Sequence, residues 1–188
     1  MLEAAAEVMQ PQPAVRVPGQ RNTIRWDLPL GIGLVAADDG ADPGLIAGYL
    51  FGALLAGNGV IVALPPGWRA LGTWLYEVTR EVRVPAGVVT LAAEGTSPAA
   101  IAATPIHFAA VDLAIESTQS LQAALSDTRE DAGQRYIKRL IHAADDLHPG
   151  ERGFIRQFAH PKAVSVRTLR HGADLPPISG ARKHMQGN

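Results

Sequence analysis

Residues 54–68 read LLAGNGVIVALPPGW, and the fold turns on how they are parsed. An apolar segment closes on Gly57-Asn58, a glycine placed where a helix commonly ends in the left-handed region. A short β-branched run, 59–64, follows without polar alternation, as in a parallel strand covered on both faces. Pro65 and Pro66 then end it. A helix feeding a buried strand through a tight cap is half of a βαβ unit, and it raises the question of a bound nucleotide.

The flanks extend the same pattern. Upstream, DPGLIAGYLFGALLAGN (42–58) offers Asp42 as a cap, Pro43 at the first helical position and apolar residues on nearly every face, which predicts a buried helix. Before it, NTIRWDLPLGIGLVAAD (22–38) predicts two strands joined by a turn, the second the more buried. Downstream, 68–83 brings Leu71, Trp74, Leu75 and Val78 to one helical face, and 86–93 is the next strand. SPAAIAA (97–103) is a short helix capped by Ser97, and 106–115 a further buried strand. Strands alternating with helices over short connections predict an α/β fold, a doubly wound, mostly parallel Rossmann-like sheet. Further on, 117–125 is expected as a helix capped by Ser117, 135–144 as a strand, 149–159 as a helix and 162–169 as a last, alternating strand. The organisation expected is a flexible N-terminal segment (1–14, with a short helix possible over 1–9), a Rossmann-like domain (15–159), a C-terminal β-flap (160–175) and a flexible tail (176–188).

Composition limits the function. The 188 residues, 47% hydrophobic and 19% charged, are enough for one domain with its own core. A formal net charge of −1 provides no field for phosphate backbones or anionic lipid, so neither nucleic acid nor a membrane is expected as partner. There is no cysteine, which excludes disulfides, thiolate zinc sites and cysteine nucleophiles. The start MLEAAAEVMQPQP lacks the basic flank and apolar core of a signal peptide, and a cytoplasmic location is expected.

No set of residues forms a catalytic constellation. Gly31 and Gly33 supply only part of a dinucleotide fingerprint and precede a strand instead of a helix, so they read as a turn and a tight strand. Asp38, Asp39 and Asp42 gather in AADDGADPG (36–44), as capping and solvated charge before a metal site, and they would repel a pyrophosphate. The six histidines, His107, His142, His148, His160, His171 and His184, show no metal-binding spacing. Trp26, Trp68 and Trp74 read as core or interface anchors. On these grounds no catalytic residue, metal or cofactor is expected for the chain.

Taken in order, PLGIGLVAAD (29–38), YLFGALLAGNGVIVALPP (49–66), VPAGVVTLAA (84–93) and KAVSVRTLRHGAD (162–174) resemble successive landmarks of the aldehyde dehydrogenase superfamily. The resemblance spans about residues 20–115, the coenzyme-binding half, and about 153–174, which is similar to the oligomerisation flap. It also departs from the family. The asparagine-bearing loop is here DDGADPG, the position of the ribose-facing lysine falls on Ala63 or Leu64, and the glycine-bearing phosphate motif has become VDLAIEST (111–118). VPGQRNTIRWDLPLGIGLVAAD (17–38) and FIRQFAHPKAVSVRTLRHGAD (154–174) are similar to the non-catalytic C-terminal domain of long bacterial proline utilization A proteins, which oxidise proline to glutamate. That resemblance implies a structural, oligomerising role. Its interface would be the flap residues Ala163, Val164, Ser165, Val166, Arg167, Thr168 and Leu169, and its partner a semialdehyde dehydrogenase module or a second copy of the chain. Two alternatives stay open: an NAD-binding portion of a glutamate-semialdehyde dehydrogenase, and an unrelated small α/β enzyme using histidine or carboxylate chemistry.

Overall fold

The structure is a computed structural model and describes residues 1–13, 21–126, 138–142, 148–149 and 151–166. Its centre is a parallel sheet of five strands: β3 (Ile32–Ala37), β4 (Gly59–Ala63), β5 (Val89–Leu91), β6 (Phe108–Asp112) and β7 (Arg139–His142). They lie in the order β5-β4-β3-β6-β7, all neighbours parallel. The chain runs outward from β3 to β5, crosses back, and resumes on the far side of β3 with β6. This is the doubly wound α/β topology expected, and its direction reverses between β3 and β6.

Alternation within the strands places the two cores. Val35, Val60, Val62, Phe108 and Ile141 face a layer that includes α2 (Pro43–Leu55), α3 (Arg69–Glu81) and α6 (Arg152–Arg156). Leu34, Ala36, Ala109 and Val111 point the other way, onto α4 (Pro98–Ala102) and α5 (Ile115–Ser126). β3 and β6 are covered on both faces, which is why their sequences lack polar alternation.

The helix boundaries follow local chemistry. Asp42 accepts a hydrogen bond from Gly44 N–H at the start of α2, and Gly57 closes that helix at φ +84°. Ser97 caps α4 through Ala100 N–H. Ser117 does not cap α5. The helix begins at Ile115, so Ser117 lies inside its first turn, because β6 ends at Asp112 and leaves only two residues of connection. Trp74 is the second departure: α3 buries Gly72, Leu75 and Thr79, and Trp74 stands 55% exposed at the margin of that face.

A second, antiparallel sheet stands apart from the first, in the order β1-β2-β8, built from β1 (Gln12–Pro13), β2 (Arg21–Pro29) and β8 (Ala159–Val166). β2 and β3, expected as two strands joined by a turn, are such strands but belong to different sheets. Leu30 and Gly31, the latter at φ +126°, turn the chain between them. The leading residues form α1 (Leu2–Met9), and its Ala4, Ala5 and Val8 are buried against the layer of α2 and α6. The short helix allowed over 1–9 is thus present: a small apolar face at i, i+1 and i+4 suffices to pack it, and Glu7 pairs with Arg152 of α6.

Candidate functional site

Parallel α/β sheets receive ligands outside the carboxyl ends of their strands. At that edge the structure has a cleft of about 390 Å³ beyond β4 and β5. Pro65 and Pro66 end β4 and open a single 3-10 turn (Pro66–Trp68) that delivers Trp68 and Arg69 to the rim. Leu64, Gly72 and Leu91 line the interior. Gly72 has no room to spare, since a Cβ there would lie 3.3 Å from Leu64. Arg69 Nη1 meets Glu94 Oε1 at 3.1 Å across the rim, an exposed pair that contributes little stability but places a cation and an anion at the mouth. Of the two residues expected at the ribose-facing position, Leu64 lines this cleft and Ala63 is buried in the other core.

The crossover point between β3 and β6 is occupied by carboxylates that each accept backbone N–H groups. Asp38 takes N–H groups from Gly40 and, through a short bond, Ala114; Asp112 takes Asp42 N–H at 2.9 Å; Asp42 caps α2. These bonds bind the β3–α2 loop to the β6–α5 connection, so the acidic residues close this part of the edge. Among the described residues no group of three or more histidines, aspartates or glutamates is arranged to hold a metal ion. His107 Nδ1 accepts Ile32 N–H at 3.1 Å, while His171 and His184 lie outside the described residues.

Gly31 and Gly33 serve packing. The first has the positive φ noted above, and a Cβ on the second would lie 2.0 Å from the Phe108 ring.

At the opposite, amino end of the sheet lies the root of the flap. Phe154, Ile155 and Phe158 are fully buried, and the rings of Tyr49, Phe154, Phe158 and Phe108 pack at centroid distances of 5.4–6.3 Å. Gly48 and Gly52 of α2 make this approach possible: a Cβ at Gly52 would lie 2.6 Å from Phe154. From this anchor the chain enters β8, which pairs with β2 from Ala159↔Pro29 to Arg21↔Val166. Ala163, Val164, Ser165 and Val166 are thus in the strand; Arg167, Thr168 and Leu169 lie outside the described residues. Asp27 of β2, 5% exposed, sits 3.7 Å from Arg156 Nε and ties the second sheet to α6.

Arg139 and Arg156 of this root are not singled out by the sequence, and Asn58 reads there only as the residue after the helix cap, with a turn hydrogen bond at most. Each acts on segments distant in the chain, and no local pattern marks them. Trp68 and Glu94 had a weak signal, their place just beyond the ends of strands.

No protein-family model matches the chain, and no curated protein matches it in sequence. Solved structures do match. Proline utilization A (PutA) from Bdellovibrio bacteriovorus superposes with a TM-score of 0.64 at 19% identity, over 73% of this chain and 14% of that one. PnpE in complex with nicotinamide adenine dinucleotide gives 0.60 at 16% identity, over 74% of this chain and 27% of that one. A 3,6-anhydro-L-galactose dehydrogenase bound to NADP gives 0.52 at 17%, over 65% and 26%. The fold is therefore of the aldehyde dehydrogenase type, a Rossmann-like sheet with helices on both faces. Within that class it resembles the aldehyde dehydrogenase region of PutA, and the chain spans only about a seventh of the PutA chains it matches.

These findings correct the expectation of a chain without a cofactor. Two of the similar structures hold nicotinamide dinucleotides, so the fold is one on which other proteins bind such nucleotides, and the carboxyl edge of this chain carries an open cleft. The expectation had weighed the acidic loop against a pyrophosphate. In the structure Asp38 and Asp42 engage the loops between β3 and β6, Asp39 lies beside Gly67 of the turn after β4, and the cleft lies beyond β4 and β5.

Proposed function

We propose that this chain is an aldehyde-dehydrogenase-type domain with a structural role, docking on a semialdehyde dehydrogenase module through the strand β8. The observation that carries the reading is the second sheet: among the described residues β8 pairs with β2 along one side only, and its other side is an outer edge of the sheet. An edge strand presents N–H and C=O groups to an incoming strand, and main-chain pairing then supplies affinity. The absence of any cysteine agrees with a role other than aldehyde oxidation through a thiol. The interface comprises Ala163 to Leu169, and a cytoplasmic location accompanies the reading.

Sedimentation velocity tests it. The full chain mixed with a glutamate-semialdehyde dehydrogenase should form a complex, and deletion of residues 160–188 should abolish it while circular dichroism retains the α/β spectrum. Self-association lost on the same deletion would assign the edge to a second copy and overturn the choice of partner. A monomer that binds nothing, intact or shortened, would overturn docking itself.

A second reading is favoured by the cleft beyond β4 and β5: a nicotinamide dinucleotide seated with its apolar ring system against Leu64, Trp68 and Leu91. Thr73 lines the same cleft and is exposed. Calorimetric titration with NAD should then show saturable binding that Thr73→Trp, by filling the cleft, removes. Titrations without heat for the unsubstituted chain would refute this reading.

A further inference from the structure

Four consecutive carbonyls, those of residues 156 to 159, lie where α6 ends and β8 begins. The carbonyls at the end of a helix and in the connection that follows it have no helical partner, and water commonly serves them. Here side chains from two other parts of the fold take all four. Arg139 Nη1 lies 3.3, 2.6 and 3.2 Å from the carbonyl oxygens of Arg156, Gln157 and Ala159. Asn58 Nδ2 donates to the fourth, Phe158 O, at 2.9 Å, and also to Ala53 O at 3.0 Å, while its Oδ1 accepts Gly31 N–H at 2.8 Å.

Arg139 opens β7 and Asn58 immediately precedes β4, so both donors are mounted on the amino edge of the parallel sheet. Asn58 is 2% exposed and every polar atom of its side chain is used. The guanidinium contacts are charge-assisted and all converge on Nη1, whose two N–H groups are shared among three carbonyls that must therefore stay close together. β8 departs from these four residues. We propose that Arg139 and Asn58 are positioning residues for β8: by gripping the carbonyls of 156–159 they transfer the orientation of the parallel sheet to the second sheet and hold its edge strand at a fixed angle for pairing. The inference rests on the docking reading only for its effect on affinity.

The full chain, which has no native cysteine, accepts spin labels at Lys162→Cys on β8 and Arg80→Cys on α3, both exposed positions. Pulsed dipolar spectroscopy should give one narrow distance distribution. Arg139→Ala should broaden or shift it and speed amide exchange in β8 by about tenfold, as local opening becomes easier. Exchange in β3 and β6 should not change, and affinity for the dehydrogenase should fall by about tenfold. Arg139→Lys, which keeps the charge and a donor, should restore much of the narrow distribution.

An unchanged distribution in Arg139→Ala, with only the melting temperature lowered, overturns the inference. If Arg139→Ala does not fold, Arg139→Gln, which removes the charge and shortens the reach but keeps a polar side chain, decides: broadening of its distribution, relative to the unsubstituted chain, sustains the proposal, and an unaltered one rejects it. A chain that binds no partner rejects the docking reading while leaving the distance measurement in force. An intact complex with unaltered distances rejects only the positioning role.

Discussion

Asn58 is the residue whose removal the structure makes costliest for its size. It stands in the segment that announced the fold, and its carboxamide joins the turn before β3, the end of α2 and the end of α6. Truncation leaves the buried Phe158 O and the half-buried Gly31 N–H without their partner, and a buried group left so costs about 1–3 kcal/mol. Asn58→Ala should therefore destabilise the chain by about 2–4 kcal/mol in denaturant unfolding. A loss below about 0.5 kcal/mol, the size of an exposed turn bond, would show that the network is replaced on substitution. The sequence identified Gly57 as a left-handed cap because the helix pattern ended there. It carried no sign that its neighbour would meet a carbonyl a hundred residues away.

Among the elements, α2 depends on the glycines that interrupt it. Gly48 and Gly52 lower helix propensity, yet they let Pro149, Phe154 and Phe158 approach the helix backbone. Gly52→Ala gains propensity but forces the two rings outward, and the expected balance is a loss of about 1–3 kcal/mol. Phe154→Leu is itself destabilising, but combined with Gly52→Ala it should cost less than the sum of the two, because the smaller side chain yields the space. A double-mutant cycle followed by chemical denaturation measures that coupling, and strict additivity would mean that the rings are not the obstacle. α3 shows the limit of periodicity. Leu71, Trp74, Leu75 and Val78 form a plausible apolar face on paper. Only the placement of β4 and β5 determines which sector is covered, and that sector centres on Gly72, Leu75 and Thr79.

For the whole molecule the distribution of burial predicts an order of opening. β3 and β6 contain an unbroken run of fully buried residues, whereas β2 and β8 meet the remainder of the fold chiefly through α1 and α6. Hydrogen exchange followed by mass spectrometry should therefore find β3, β4 and β6 the slowest to exchange, close to the global unfolding limit. β2 and β8 should exchange faster, through opening of the second sheet alone. A shared dehydrogenase partner should slow β8 selectively. Uniform protection across both sheets would indicate that they unfold as one unit.

The succession of strands and helices was legible from residues alone because each signal is local: Asp42-Pro43 at a helix start, Gly57 at its end, β-branched runs closed by proline, Ser97 as a cap. The motifs in that order also pointed to the aldehyde dehydrogenase type, which the similar solved structures support at the level of fold. Strand order, the separation of β2 and β3 into different sheets, and the packing of α1 depend on contacts between segments far apart in the chain. So do the cleft beyond β4 and β5 and the grip of Arg139 and Asn58 on residues 156–159. Hydrogen-bonding capacity is a property of a residue, but whether a donor meets a carbonyl twenty or a hundred positions away is settled by how the chain closes on itself, and only the tertiary structure decides that.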